Sequence, residues 1–285
     1  MTEQSRRDVT VTGRTAGGYV LTPEQVRAYA RDGYLVLPDV LTEAEIAPIE
    51  QSFERFIQGG VPGMGRDFCD MSGPYDRAFE DFNLINAVLP RVYESSLMDN
   101  VFEQRATSIA QQLIGDDATL DYDQFLAKRP QRPNAVFAWH QDLGYWPSNT
   151  PDTLTVTCSL ALNDATLENG CLRVVPGSHL EPELRPHRPS AWSTSPELRE
   201  EAHTLTAELS EHDQIVALPV ARGSITVHNE RIVHGSAGNH TDGWRRTYVI
   251  AHRSRQTVAY ERSIGFTHSH NDVINWRTHL EVLTE

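Results

Sequence analysis

The stretch TLTVTCSLAL, residues 153–162, alternates apolar side chains with small hydroxyl side chains at every second position. Because successive side chains of a β-strand point to opposite faces, this alternation predicts a strand that is buried on both faces. The residues expected to face the hydrophobic core are Leu154, Val156, Cys158, Leu160 and Leu162. Thr155, Thr157 and Ser159 are expected to face the interior of a rolled sheet, where small hydroxyl groups leave space for a bound molecule.

Short runs of strand type occur on both sides of this stretch. They cover residues 120–128, 135–142, 171–176, 214–220, 224–229 and 245–253, with turn residues between them. Asn169-Gly170 and Pro176-Gly177 are expected to be two of these turns. Many short strands with irregular connections predict a mainly β fold, a sandwich or a jelly roll, with helices packed outside it.

Three helices are expected before these strands. They cover residues 22–33, a segment that begins at Thr42 and contains Pro48 as a possible kink, and residues of about 96–114. The first two begin with a capping box, a Thr followed three residues later by Gln or Glu. Residues 34–40 are expected to form a strand between the first two helices.

The chain has 285 residues and a net charge of −14. An acidic protein is poorly suited to polyanions, so we expect no nucleic-acid partner. No run of about 18 apolar residues is present, so no membrane span is expected. Residues 1–20 are expected to be a disordered tail and residues 21–285 a single domain, as a monomer or a homodimer.

The first residues are polar and lack the apolar region of a secretory signal, which favours a cytoplasmic location. Three cysteines (Cys69, Cys158 and Cys171) without metal-binding spacing suit a reducing compartment and are expected to be packing residues. Residues 58–80 and 180–213 do not fit strands and are interpreted as long insertions, either lids or plain surface.

A histidine and an aspartate lie two positions apart in AWHQDLGYW, residues 138–146. If residues 135–142 form a strand, His140 and Asp142 project from the same face and Gln141 from the other. A neutral imidazole and a carboxylate placed in this way can occupy two adjacent positions on one divalent metal ion. The alternative is a hydrogen-bonded pair without metal.

The best candidate for a third ligand is His234, in NERIVHGSAGNHTDGWRR. Two histidines and one carboxylate on one side of a metal ion form the facial triad of non-haem iron(II) oxygenases. Arg245 begins a strand eleven residues later, and its planar guanidinium can hold a carboxylate through two parallel hydrogen bonds. Arg246 points to the opposite face of that strand, so only one of the two can face the interior.

The order of three motifs makes this pattern specific. H-x-D at 140–142 is followed by LNDATLENGCLRVVPGSH at 162–179 and by HGSAGNHTDGWR at 234–245. From about Leu21 to Arg253 the chain resembles the phytanoyl-CoA dioxygenase family of iron(II)- and 2-oxoglutarate-dependent oxygenases. The resemblance implies a double-stranded β-helix, a jelly-roll barrel of the cupin type, and the cofactor set Fe(II), 2-oxoglutarate and dioxygen.

The same resemblance implies roles for individual residues. His140, Asp142 and His234 would bind iron, and Arg245 would hold the distal carboxylate of 2-oxoglutarate. The further residues implied or expected at the co-substrate are Ser236, Gln124, Lys128 and Thr157, although a lysine is more often exposed. Tyr145 and Trp146 would line the substrate pocket, the alternative being ordinary core aromatics.

The function expected from these residues is hydroxylation of an unactivated carbon of a small molecule, a bacterial secondary metabolite or an amino-acid derivative. The retained Asp142 favours oxygenation over halogenation. Desaturation, epoxidation and ring formation by the same oxidant stay open, as does a non-catalytic jelly-roll binding protein. His179 is interpreted as a loop residue, and His268 and His270 as lying in a polar segment without further ligand partners.

Overall fold

A computed structural model of the chain describes residues 13–59, 61–189 and 204–275. The described strands are β1 Gly13–Arg14, β2 Tyr19–Val20, β3 Tyr34–Leu37, β4 Phe68–Asp70, β5 Leu84–Val88, β6 Ala118–Lys128, β7 Phe137–His140, β8 Thr155–Ala161, β9 Leu172–Val174, β10 His187–Pro189, β11 Leu205–Ala207, β12 Val216–Leu218, β13 Ile225–His228, β14 His234–Ser236 and β15 Arg245–Ser254. The described helices are α1 Pro23–Asp32, α2 Glu43–Ile57, α3 Pro90–Tyr93, α4 Val101–Ile114 and α5 Arg255–Ser263.

Two antiparallel sheets make up the centre of the molecule. The larger sheet has the strand order β3-β13-β8-β15-β6-β5-β4, and the smaller has the order β12-β9-β14-β7. One cavity is lined by residues of both sheets, which places it between them. Among the described strands the two sheets stay separate, so the predicted jelly roll is present as a sandwich open at its ends rather than as a closed barrel.

Strand β8 shows why the alternating stretch decides this arrangement. Val156, Cys158, Leu160 and Leu162 belong to the main hydrophobic core, as predicted. Thr157 and Ser159 line the cavity on the opposite face. The prediction for Leu154 is wrong: its side chain is 46% exposed, because β8 begins only at Thr155.

Helices α2 and α4 cover the outer face of the larger sheet. Phe53 of α2 contacts Phe125 of β6 with ring centroids 4.7 Å apart, and Phe102 of α4 contacts Tyr248 of β15 at 5.3 Å. The capping boxes predicted for the first two helices are present. The third long helix begins later than predicted, because the Asn100 side chain accepts hydrogen bonds from the first backbone N–H groups of α4.

Part of the predicted tail, residues 13–20, belongs to the described structure. Strands β1 and β2 form a hairpin, and the Tyr19 N–H donates to Ser108 Oγ of α4 at 3.3 Å. Residues 1–12 lie outside the described residues. That residues 21–285 form one domain stays a prediction.

Both predicted insertions contain structure near the cavity. Residues 58–80 include β4 and Met71, whose side chain lines the cavity. Residues 180–213 include β10 and β11, while 190–203 lie outside the described residues. A role as lids stays a prediction. All three cysteines are buried and free, as expected for packing residues, and none of the described helices is long and apolar enough to cross a bilayer.

Candidate active site

His140 and Asp142 lie together, although not on one continuous strand as predicted. Strand β7 ends at His140, and Asp142 begins a 3₁₀ turn over Asp142–Tyr145. The Gly144 N–H donates to the Gln141 carbonyl at 2.9 Å and tightens this turn. His140 Nε2 still lies 3.2 Å from Asp142 Oδ1, and the Gln141 side chain points away, donating to the Arg231 carbonyl at 2.6 Å.

His234 completes the cluster because β14 pairs with β7. His234 and His140 are direct cross-strand partners, and their ring centroids are 4.3 Å apart. His234 Nε2 lies 3.4 Å from Asp142 Oδ1. The ligand atoms of His140, Asp142 and His234 all lie within 4.8 Å of one another, and this group is named the triad cluster below.

Backbone carbonyl groups fix the orientation of both imidazoles. His140 Nδ1 lies 2.7 Å from the Ala138 oxygen, and His234 Nδ1 lies 3.0 Å from the Ile232 oxygen. Since a carbonyl oxygen only accepts, each Nδ1 carries the proton, and each neutral ring presents the Nε2 lone pair to Asp142. Burial and the neighbouring His234 lower the pKa of His140, which favours the neutral ring.

The triad cluster therefore brings three electron-pair donors together. A carboxylate oxygen between two Nε2 lone pairs is unfavourable unless a cation lies among them. The donor set and its carbonyl-held imidazoles thus fit a divalent metal ion.

His228 is a residue of the site that the sequence pattern did not predict. It lies on β13, and its Nε2 is 3.2 Å from Asp142 Oδ2, the oxygen that faces away from His140 and His234. An N–H donor at this oxygen leaves Oδ1 as the free ligand atom of the carboxylate. The signal was weak, because Asp142, the carboxylate that His228 contacts, lies 86 residues earlier in the chain.

Arg245 lies in the wall of the same cavity. Its side chain is buried, its Nε has no hydrogen-bond partner, and burial lowers its pKa to about 10. Ser159 and Thr247 line the same end of the cavity, and Thr247 was not singled out in the sequence. Arg246 points outward and pairs with Glu50 and Glu54, so the prediction that only Arg245 faces inward is confirmed.

Lys128 is completely buried, so the alternative of an exposed lysine does not apply to it. Its Nζ donates to Ser236 Oγ at 2.6 Å and to the Ala237 carbonyl. Burial and the nearby Arg245 lower the pKa of Lys128 well below its usual value. Ser236 and Gln124 line the cavity, whereas Lys128 reaches it only through Ser236.

The family follows from a match along most of the chain. A model of the phytanoyl-CoA dioxygenase (PhyH) family matches residues 29–247. The chain belongs to the phytanoyl-CoA dioxygenase family. Enzymes of this family use iron(II), 2-oxoglutarate and dioxygen, as the three sequence motifs predicted.

Relatives in this family align at moderate identity. Ectoine dioxygenase of Bordetella bronchiseptica is 27% identical over 177 residues, which cover 61% of this chain but only 55% of that protein. Ectoine dioxygenase of Stutzerimonas stutzeri is 26% identical and covers 87% of this chain and 83% of its own. EvdO2 from Micromonospora carbonacea var. aurantiaca, also solved with 2-oxoglutarate, superimposes with a TM-score of 0.67 at 27% identity, over 82% of this chain and 91% of that chain.

Tyr145 and Trp146, expected at the substrate pocket of a phytanoyl-CoA dioxygenase family member, both line the cavity. The Leu205 N–H donates to the Tyr145 hydroxyl oxygen at 2.7 Å. Trp146 Nε1 donates to Glu230 Oε2 at 3.1 Å, and Thr157 Oγ1 donates to Glu230 Oε1 at 3.2 Å. Their polar atoms are therefore held by the protein, and the rings form part of the cavity wall.

His268 does not lie in a polar segment without ligand partners, as was expected. It is buried, lines the cavity, and lies 2.7 Å from Asp121 and 3.5 Å from Glu261, so the expectation that it has no partners is wrong. Asp121, Glu261 and His268 are named the ion-pair cluster below. His270 also lines the cavity, and both histidines lie beyond the part of the chain that matches the family. His179 lies under α1 near the Ala30 carbonyl, as expected for a loop residue.

Proposed function

We propose that the protein is an iron(II)- and 2-oxoglutarate-dependent dioxygenase that hydroxylates an unactivated carbon of a small molecule. The observation that supports this most strongly is the triad cluster, in which two carbonyl-held imidazoles and one carboxylate direct three lone pairs at a common point. A binding protein without redox chemistry has no need for such a metal site with open coordination positions.

His140, Asp142 and His234 would hold the iron, and His228 would keep the second oxygen of Asp142 occupied. Iron(II), when bound, would activate dioxygen, so that one oxygen atom enters the C–H bond as C–OH and the other enters 2-oxoglutarate, which is released as succinate and carbon dioxide. Backbone carbonyls at Ala138 and Ile232 keep the Nδ1 protons in place, so both Nε2 atoms stay free for the metal.

Arg245 would bind the distal carboxylate of 2-oxoglutarate. An arginine buried in the cavity wall, with an unpartnered Nε, is suited to a carboxylate that enters the site. Ser236, held by Lys128, would add a hydroxyl contact, and Gln124 and Thr157 would line the co-substrate.

Tyr145 and Trp146 would border the substrate and exclude water from the metal side of the cavity. His140 and Tyr145 are in edge contact, with ring centroids 5.6 Å apart, so a molecule held against Tyr145 lies beside the metal site. We propose a bacterial secondary metabolite or an amino-acid derivative as the substrate and the cytoplasm as the location. Relatives named ectoine dioxygenase and the fold shared with EvdO2 support a small-molecule substrate.

The test is conversion of 2-oxoglutarate to succinate by purified protein supplied with Fe(II), ascorbate and dioxygen. His140→Ala and His234→Ala are expected to abolish succinate formation, because each removes a metal ligand. Arg245→Ala is expected to raise the 2-oxoglutarate requirement by about 2–4 kcal/mol in binding free energy, since it breaks a buried charge pair. Undiminished turnover in His140→Ala would rule out the triad assignment.

A further inference from the structure

Beside the metal site, one part of the cavity is lined by aromatic and aliphatic side chains. This part, named the aromatic chamber, is bordered by Val88, Tyr122, Tyr145, Trp146 and Phe266. Trp146 is its centre, with ring centroids 5.4 Å from Tyr122, 5.7 Å from Tyr145 and 6.0 Å from Phe266. The chamber adjoins His140 through Tyr145, so a molecule inside it lies next to the metal site.

The charges around the cavity are already matched. Apart from Asp142 and Arg245, the described residues that line the cavity include no Asp, Glu, Lys or Arg. Asp142 and Arg245 belong to the proposed metal and 2-oxoglutarate positions. His268, at the chamber wall, lies against Asp121 and Glu261, which balance a charge on its ring. A charged substrate group would therefore enter the chamber without a partner, which is strongly unfavourable.

Aromatic walls can also bind cations, but a cation of the protein already lies against this wall. The guanidinium of Arg253 already lies 5.2 Å from the centre of the Trp146 ring. The His268 ring lies 4.5 Å from Trp146 and 4.4 Å from Tyr122. Because the Arg253 guanidinium already uses the Trp146 ring in this way, a further cation gains less from that ring.

Besides Arg245 Nε, His228 Nδ1 and His268 Nδ1, the described cavity wall contains one unpartnered amide oxygen, that of Asn86. Asn86 lies two residues before Val88 on β5, lines the cavity, and is almost completely buried, and its amide Oδ1 has no hydrogen bond. A buried amide without a partner costs free energy that a hydroxyl or N–H group of a ligand can recover. The polar groups of Tyr145 and Trp146, in contrast, are held by Leu205 and Glu230.

We propose that the aromatic chamber selects an uncharged substrate, a molecule with an apolar ring or chain body and a neutral hydroxyl or amide group that hydrogen-bonds to Asn86. This inference rests on the proposed function for the position of the reacting carbon, and it narrows the substrate away from zwitterionic amino-acid derivatives. Phe266 lies beyond the part of the chain that matches the family.

The test measures binding, not turnover, on full-length protein loaded with Zn²⁺ and 2-oxoglutarate at pH 8, above the ordinary imidazole pKa. The probes are benzyl alcohol, benzoate and benzylamine, which share a ring and differ in charge. Their binding is measured by ligand-observed NMR. Benzyl alcohol is expected to bind at least ten-fold more tightly than either charged probe. Equal or tighter binding of a charged probe, or no binding of benzyl alcohol, overturns the proposal.

Matched variants test whether benzyl alcohol binds in the aromatic chamber. Val88→Phe fills the chamber and is expected to remove benzyl alcohol binding, whereas Val92→Phe, the same change at an exposed position of α3, is expected to preserve it. Asn86→Asp is nearly isosteric and is expected to shift the preference at least ten-fold toward benzylamine. Equal effects of the two valine variants, or an unchanged preference in Asn86→Asp, count against the proposal.

The two proposals fail separately. Succinate formation together with preferential binding of benzoate or benzylamine removes only the uncharged-substrate inference. Absence of succinate formation together with chamber binding of benzyl alcohol removes only the proposed oxygenase function.

Discussion

Two clusters of imidazole and carboxylate border one cavity, and they differ in what neutralises their carboxylates. In the triad cluster, one carboxylate faces two imidazoles, and no guanidinium of the described residues pairs with it. In the ion-pair cluster, two carboxylates face one imidazole, and Arg253 and Arg262 pair with both of them. The spacing of ligand atoms is similar, within 4.8 Å in each cluster.

Charge balance therefore separates a metal site from a structural network. Arg253 is fully buried and contacts three carboxylates, those of Asp121, Glu230 and Glu261, at 3.0, 2.5 and 2.6 Å. Arg262 and His268 are further partners of Asp121 and Glu261. The triad cluster has no such counter-charge among the described residues, and this lack is what a divalent cation would supply.

The largest expected difference between the clusters is in metal content. His234→Ala is expected to lower Fe(II) affinity by more than ~100-fold, since even groups that only orient a ligand are worth 10–100-fold. His268→Ala, the matched change in the ion-pair cluster, is expected to keep one metal equivalent per chain. Elemental analysis of both variants after loading checks this, and equal metal loss in the two would remove the distinction.

The second difference concerns stability. Arg253→Met leaves three buried carboxylates without their shared cation and is expected to lower the free energy of unfolding by about 3–5 kcal/mol. Arg188→Met, the same change in an exposed pair with Glu208, is expected to cost less than ~1 kcal/mol. Urea unfolding of the metal-free proteins measures both, and similar midpoints would contradict the role of Arg253.

A smaller effect is expected from the residue that orients the triad carboxylate. His228→Phe removes the N–H donor at Asp142 Oδ2 and is expected to weaken Fe(II) binding by about 10–100-fold. His240→Phe, at an exposed position, is the matched control. Competition titration with a chelator gives both affinities; an unchanged value for His228→Phe would show that Asp142 is oriented by other groups.

The smallest effect is a pH dependence of the ion-pair cluster. Burial alone lowers the pKa of His268, but Asp121 and Glu261 outweigh it and raise that pKa above the ordinary value of about 6.5. Its contribution to stability is therefore complete below about pH 6.5 and is lost as the pH rises through the raised pKa. The stability difference between wild type and His268→Gln is expected to shrink over that range in urea unfolding, and a difference that grows with pH would contradict it.

The contrast between the clusters also shows how far the sequence predicts the site. His140 and Asp142 are two residues apart, and the opposite orientation of Arg245 and Arg246 follows from strand geometry alone. These predictions needed only local geometry and an ordered motif pattern. Even so, Asp142 reaches its position through a 3₁₀ turn, which the strand assumption did not include.

Other features depended on contacts between distant parts of the chain. A lysine is more often exposed than buried. The buried Lys128 Nζ donates hydrogen bonds to Ser236 Oγ and to the Ala237 carbonyl, both more than 100 residues away in the chain. His268 gains its partner Asp121 from a position 147 residues earlier. The partners of Lys128 and His268 are distant in the sequence, so no local pattern predicts these contacts. They become visible only in the folded structure.

Strand β15 has a consequence for the order in which the protein can assemble. It lies between β8 and β6 in the larger sheet, yet it follows both in the chain. Without it, the sheet divides into β3-β13-β8 and β6-β5-β4, each with an unpaired edge. A nascent chain that ends before residue 245 already contains the residues of the triad cluster but not the strand that joins the two halves, so the larger sheet can be completed only after β15 has been synthesised.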